Sequence, residues 1–271
     1  MARARRSVRR SRADRLTGPS KRPAAPGRVF IGTSGYVYRH WRRRFYPRQV
    51  PVAAWLPHYA NHFSTVELNN PFYRLPTAEA FANWRRAVPA DFVFAVKASR
   101  FLTHIKRLRE PDDPLDLLLE RARHLGPTLG PILFQLPGRF HRADDRLDGL
   151  LSALRRQRRV RGLRAVLEVR HPSWLVDDIF ARLARAGVAL CLTDWRDAPV
   201  HDVVTTDFVY VRRHGSRRRY GGRYGDGALR ADAKRIRRWL RDGRDVYVYF
   251  NNDARAYAVE NALRLRTLLA R

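Results

Sequence analysis

From Val29 onward the chain alternates short apolar runs with longer amphipathic ones. Val29–Thr33, Thr65–Asn69, Phe92–Lys97, Pro131–Gln135, Ala165–Glu168, Ala189–Thr193, Phe208–Arg212 and Val246–Phe250 have the length and the β-branched or aromatic content of strands. Between them, stretches near Ala53–His62, Ala78–Val88, Pro114–Leu125, Asp144–Arg156, Val176–Ala186, Ala228–Arg241 and Tyr257–Leu269 read as helices. The link after the sixth strand is short and irregular. Such alternation implies a parallel sheet. Eight units in about 240 residues match a TIM (β/α)8 barrel, which forms one domain of similar length. A doubly wound sheet would place a Gly-rich fingerprint after the first strand, and Gly32-Thr33-Ser34-Gly35 fits it poorly.

Strand side chains alternate between faces. Across Ala165–Trp174, Val166, Glu168 and Arg170 share one face, while Ala165, Leu167 and Val169 share the other. Other strands also end in polar residues: Glu67 and Asn69 on strand two, Lys97 on three, Gln135 on four, Asp194 after six, Arg212 and His214 on seven, and Tyr249 with Asn251 on eight. All lie at C-terminal strand ends, where TIM barrels place their active sites. Glu67, Glu168 and Asp194 against Lys97, Arg170 and Arg212 make a charge-balanced ring. It reads as either a structural ion network or the lining of a pocket.

Composition shifts the emphasis toward anions. Lys and Arg number 55 against 25 Asp and Glu, a formal charge of +30. Nearly all the cations are Arg. The excess suits a polyanionic partner, but a compositional Arg bias produces the same number. Residues 1–27 form an Arg-rich basic tail without apolar periodicity, and the barrel domain is expected over residues 28–271. The single cysteine, Cys191, excludes an internal disulfide and a Cys-based zinc site. It fits a reducing, cytoplasmic setting. No apolar run approaches a membrane span, so no membrane partner is expected.

The loop after strand seven, Arg213 to Gly225, interleaves Gly with Arg217, Arg218 and Arg219. It reads as an anion clamp or a lid. Among the loop aromatics, Trp41, Phe72 and Trp174 are expected to roof the barrel, whereas Tyr36 and Tyr73 are expected at the site. His104, His171 and His214 fall near strand ends, so a His/carboxylate metal set can be drawn. No characteristic spacing supports it, and a divalent metal is the weaker reading. No other cofactor is expected.

The strand ends and loops together resemble the YecE-like family, a TIM-barrel family of unknown function. The resemblance is carried by Ile31-Gly32-Thr33-Ser34-Gly35-Tyr36 with Trp41 and Phe45-Tyr46-Pro47, by Val66-Glu67-Leu68-Asn69 with Phe72-Tyr73, and by Phe94-Ala95-Val96-Lys97-Ala98 with Leu102-Thr103-His104. Phe134-Gln135-Leu136-Pro137, Glu168-Val169-Arg170-His171-Pro172-Ser173-Trp174 and Tyr249-Phe250-Asn251-Asn252 complete it. Tyr36 stands where the family usually has Trp, and Asn70-Pro71 replaces a small polar pair. The resemblance implies the fold and leaves the reaction open. Similarity to endonuclease-IV-like and xylose-isomerase-like barrels is an analogy of fold.

The expected function is binding of a small phosphorylated, sugar or nucleotide-type ligand, with or without catalysis. Glu67 or Glu168 would act as general base, with Asp194 in the same ring, and His171 or His104 would carry a proton. Lys97, Arg170 and Arg212 would hold anionic groups. Asn69, Gln135 and Asn251, with Tyr36, Tyr73, His214 and Tyr249, would orient the ligand. A carboxylate flanked by cations is a weak base, which counts against the glutamates. The alternatives are a non-catalytic nucleic-acid binder and a metal-dependent enzyme of the endonuclease-IV or isomerase kind.

Overall fold

A computed structural model describes residues 25–195, 202–216 and 220–270. Eight parallel strands form one sheet: β1 (Val29–Thr33), β2 (Thr65–Leu68), β3 (Val93–Lys97), β4 (Leu129–Gln135), β5 (Ala165–Glu168), β6 (Val188–Thr193), β7 (Phe208–Arg213) and β8 (Asp245–Phe250). The spatial order is β1-β8-β7-β6-β5-β4-β3-β2. The helices are α1 (Trp55–Ala60), α2 (Asn70–Tyr73), α3 (Ala78–Arg86), α4 (Asp112–Ala122), α5 (Asp144–Arg156), α6 (Asp177–Ala186), α7 (Asp226–Arg241) and α8 (Tyr257–Leu269). This is the expected (β/α)8 barrel. The one-turn α2 was not legible as a helix, because Asn70-Pro71 reads as a turn.

The barrel closes between β1 and β2 without a full ladder. The strands meet at a single bridge, Ser34 with Glu67, where the Gly35 amide donates to the Glu67 carbonyl at 2.8 Å. Below it, Tyr59 of α1 inserts its hydroxyl into the seam. It accepts from the Thr33 amide at 2.9 Å and donates to the Thr65 carbonyl at 3.1 Å. A phenol thus satisfies backbone groups that a missing ladder would leave buried and unpaired. Gly32 permits this approach: a Cβ there would sit 2.2 Å from the Thr65 carbonyl oxygen.

Two apolar layers follow from strand alternation. Outward residues such as Val66, Phe94, Phe134, Leu167, Leu190 and Val248 pack beneath the helices. Inward residues Phe30, Ala95, Leu133, Val166, Ala189, Cys191, Phe208, Tyr210, Tyr247 and Tyr249 fill the barrel. At the N-terminal end Arg164 plugs the interior, donating to Asp245 at 2.7 Å and lying 5.3 Å from the Phe208 ring centroid. The interior is therefore a packed core, as is usual for this fold, and any site is confined to the C-terminal mouth. Among the described residues no helix is long and apolar enough to cross a membrane.

Candidate functional site

The uppermost inward layer is ionic. Arg212, 1% exposed, donates Nη1 to Glu168 Oε2 at 2.6 Å, and Nη2 to Glu67 Oε1 at 2.8 Å and Ser34 Oγ at 3.0 Å. Glu168 Oε1 accepts from Arg170 Nε at 2.7 Å, and Glu67 Oε2 accepts from the Tyr210 hydroxyl at 2.7 Å. Ser34 Oγ–H donates to Glu67 Oε1. Both carboxylates are fully buried and multiply bonded. Burial raises the Glu168 pKa, but Arg212 and Arg170 outweigh it and hold the group well below the usual carboxylate range. Burial likewise lowers the Arg212 pKa, and Glu67 and Glu168 more than reverse that. The lone pairs of both glutamates are thus already committed to cations and hydroxyls. This removes the structural basis for either as general base.

Asp194 is not part of this ring. The inward residues of β6 are Ala189 and Cys191, whereas Leu190 and Leu192, the parity partners of Asp194, face the helices. Asp194 accordingly accepts from the Tyr224 hydroxyl and from the His214 amide at 2.8 Å, beside Arg213, which pairs with Asp232 of α7. The inventory at the mouth changes with it. Two carboxylates, Glu67 and Glu168, face three cations, Arg170, Arg212 and Lys97.

Lys97 is the unmatched member. Its Nζ lies 3.8 Å from the centroid of the Phe72 ring, a cation–π contact. It has no hydrogen bond or ion pair among the described residues. Burial, followed by repulsion from Arg212, lowers its pKa to about 7, and attraction to Glu168 and Glu67 does not compensate. Phe72 also meets His104 edge-on, with centroids 5.0 Å apart. It thus covers the mouth, as expected, in contact with both Lys97 and His104, while the companion Tyr73 is 72% exposed.

His104 lies on a π-helical turn, Phe101–Ile105. The Thr103 hydroxyl donates to the Ser99 carbonyl at 3.1 Å, so at 2.9 Å it accepts from His104 Nδ1–H. That leaves the lone pair on Nε2, facing Gln135 Nε2 at 3.5 Å. Burial, then Lys97, lowers the His104 pKa to about 4, so the ring is neutral at neutral pH. Asn69 is oriented by a similar count. Ser34 gives its one proton to Glu67, so Asn69 must present Nδ2 to Ser34 Oγ, at 3.1 Å. Its Oδ1 is then a buried acceptor without a partner.

Arg170 borders the same mouth. Its guanidinium stacks 3.6 Å from the Trp195 ring centroid. Nε is spent on Glu168, and Nη1 and Nη2 have no hydrogen bond among the described residues. His214 is buried, with Nδ1 at 3.1 Å from Asn251 Nδ2 and Nε2 at 3.5 Å from Glu168 Oε1, too long for a good hydrogen bond. Burial lowers its pKa. His214 and Asn251 therefore buttress the ring.

Other expected site residues lie elsewhere. His171 takes the outward parity of β5; its ring stacks on His141 at 3.8 Å and its Nδ1 accepts from the Ser173 amide at 3.2 Å. It is not brought to the ring. Tyr36 packs against the outer core 6.1 Å from Tyr59, because the positive φ of Gly35 (87°) turns the chain out of register. Tyr249 is fully buried and bonds Thr65 Oγ1 at 2.7 Å, a packing role below the site. Tyr38 takes the place expected of Tyr36, donating its hydroxyl to the Ser34 carbonyl at 2.6 Å. In the loop after β7, Arg217–Arg219 lie outside the described residues. Gly215 spends its amide on the Tyr224 hydroxyl at 2.6 Å, and Arg213 turns away to Asp232, so the described part presents no open clamp. Among the described residues no three His, Cys, Asp or Glu side chains converge as a metal site.

The family model for the protein of unknown function DUF72 matches residues 30–271. The chain belongs to the DUF72 family. A DUF72 protein of known structure from Thermotoga maritima superposes with a TM-score of 0.80 at 26% identity, covering 90% of this chain and all of that one. The UPF0759 protein YunF of Bacillus subtilis is 24% identical over 272 residues, 89% of this chain and 94% of YunF. The UPF0759 protein YecE of Escherichia coli K12 is 38% identical over 112 residues, 41% of this chain and 39% of YecE. This DUF72 chain thus carries the family's barrel from β1 onward.

Proposed function

We propose that the mouth of the barrel binds a small organic anion of the phosphorylated or sugar-acid type. The carrying observation is the charge inventory: three cations against two carboxylates, with Lys97 the cation that neither carboxylate holds. An anion would restore neutrality in a poorly hydrated site, where such pairing is strong. Arg170, braced by Glu168 and Trp195, presents a fixed planar donor beside it. Asn69 Oδ1 asks for a donor, which a ligand hydroxyl supplies. If the bound molecule is turned over, Lys97 and His104 are the groups able to move a proton, since both glutamates are locked to cations.

Titration of inorganic phosphate into the protein at low ionic strength tests this reading. Saturable one-site binding in the wild type, weakened at least about tenfold in Lys97→Met by loss of a charge-assisted contact, is expected. Equal affinity in the two proteins would refute it.

A further inference from the structure

We propose that Lys97 forms an imine with a small aldehyde or ketone that carries an anionic group. The proposal rests on the anion-binding reading and names the substrate class of the same site.

Residue choice is the first argument. The chain has four lysines, Lys21, Lys97, Lys106 and Lys234, among 55 cationic residues. Lys234 is exposed, Lys106 pairs with Glu110 at 2.5 Å, and Lys21 lies outside the described residues. Where the barrel mouth needs a permanent cation it uses Arg170 and Arg212. Guanidinium cannot give up its proton under ordinary conditions, whereas an amine can and is then a nucleophile. A lysine at this one inward position supplies what an arginine does not.

Surroundings are the second argument. The face of Phe72 shields Nζ, and the two nearby carboxylates are held by Arg212, Arg170, Ser34 and Tyr210, so neither hydrogen-bonds the ammonium and their attraction does not offset burial and repulsion from Arg212. With its pKa at about 7, roughly half of Lys97 is free amine at neutral pH, against less than about one part in a thousand for an ordinary lysine.

Proton handling completes the set. The Nζ lone pair attacks the carbonyl carbon, forming a C–N bond as the carbonyl oxygen takes up a proton. Nitrogen then loses a proton, the hydroxyl is protonated, and the C–O bond breaks to release one water. The product is the imine, which becomes the iminium when protonated. No oxidant or reductant enters. His104 meets the same Phe72 ring as Lys97 and, with Nδ1–H bound to Thr103, keeps a lone pair on Nε2 that can accept one of those protons. Arg170 holds the anionic group, and Asn69 Oδ1 accepts from a hydroxyl of the substrate or of the carbinolamine.

Reductive trapping tests the proposal. The protein is incubated at pH 7 with sodium cyanoborohydride and, separately, glyceraldehyde 3-phosphate, pyruvate or unphosphorylated glyceraldehyde, and the peptides are mapped by mass. Either anionic carbonyl should label Lys97 at least about tenfold faster than Lys106 or Lys234, and faster than glyceraldehyde labels Lys97. The two anionic arms separate phosphate from carboxylate recognition. Lys97→Arg should abolish the selective adduct while leaving the fold intact by circular dichroism. Labelling of Lys97 no faster than of Lys106 and Lys234, in a protein that still binds phosphate, overturns the imine and spares the anion site. Equal labelling of Lys97 by glyceraldehyde and its phosphate ester overturns the anionic substrate class.

Discussion

Arg212 donates to Glu168 at 2.6 Å with both side chains sealed from solvent. The same guanidinium reaches Glu67 at 2.8 Å, so one residue of β7 neutralises carboxylates from β2 and β5 across the barrel. Removing it leaves two buried carboxylates short of a partner. Arg212→Met should lower the unfolding free energy by about 3–5 kcal/mol at pH 7, read from urea denaturation. Glu168 titrates lower in the folded than in the unfolded protein. Its contribution is therefore present above the ordinary glutamate range and is lost as pH falls through its folded pKa. The penalty in Arg212→Met should shrink on acidification; a pH-independent penalty would count against the ion network.

Lys97 behaves in the opposite sense. Its pKa of about 7 lies below that of an unfolded lysine, about 10.4, so between those values the unfolded chain binds more protons. Stability attributable to this site should rise with pH across that window and be lowest below it. Lys97→Met should thus stabilise the protein at pH 6 and lose that advantage by pH 10, as checked by denaturation at both.

His104 should titrate near 4, with its proton on Nδ1 at neutral pH. Nitrogen-15 spectra of the imidazole would show both. Because Lys97 is the second cause of the depression after burial, Lys97→Met should move the His104 pKa upward. An unmoved value would separate the two groups.

Below the Ser34–Glu67 bridge, the seam between β1 and β2 is joined through the Tyr59 hydroxyl. Tyr59→Phe strips a partner from the Thr33 amide and the Thr65 carbonyl, at a cost of about 1–3 kcal/mol. Faster hydrogen exchange at Thr33 than at strand centres elsewhere in the barrel is the expected readout.

Most of the barrel was legible because strand alternation is a rigid rule. The ionic ends of β2, β3, β5 and β7 follow from counting by twos along apolar runs. The same rule misplaces Asp194 when the count on β6 starts from Leu190 and Leu192, which face the helices, rather than from Ala189 and Cys191, which face inward. Loops obey no such period. Gly35 turns the chain so that Tyr38, not Tyr36, reaches the Ser34 carbonyl, and Ser34 itself was hidden within a Gly-rich stretch. Phe72 is legible as a cover of the mouth, but nothing along the chain shows that the group it covers is the amine of Lys97. Tyr59 falls within the helix expected near Ala53–His62, and nothing along the chain marks its hydroxyl as the clasp of the seam.

The central claim, that Lys97 is an unpaired amine whose charged form an anion at the mouth would stabilise, is tested most directly by proton uptake on binding. Sulfate does not titrate near neutral pH, so titration calorimetry of sulfate at pH 8 in buffers of different ionisation enthalpy isolates the protein's proton. An anion at the mouth should raise the Lys97 pKa and draw in up to about one proton per site in the wild type, and close to none in Lys97→Met. Sulfate binding without proton uptake, or uptake that survives the substitution, would contradict the account.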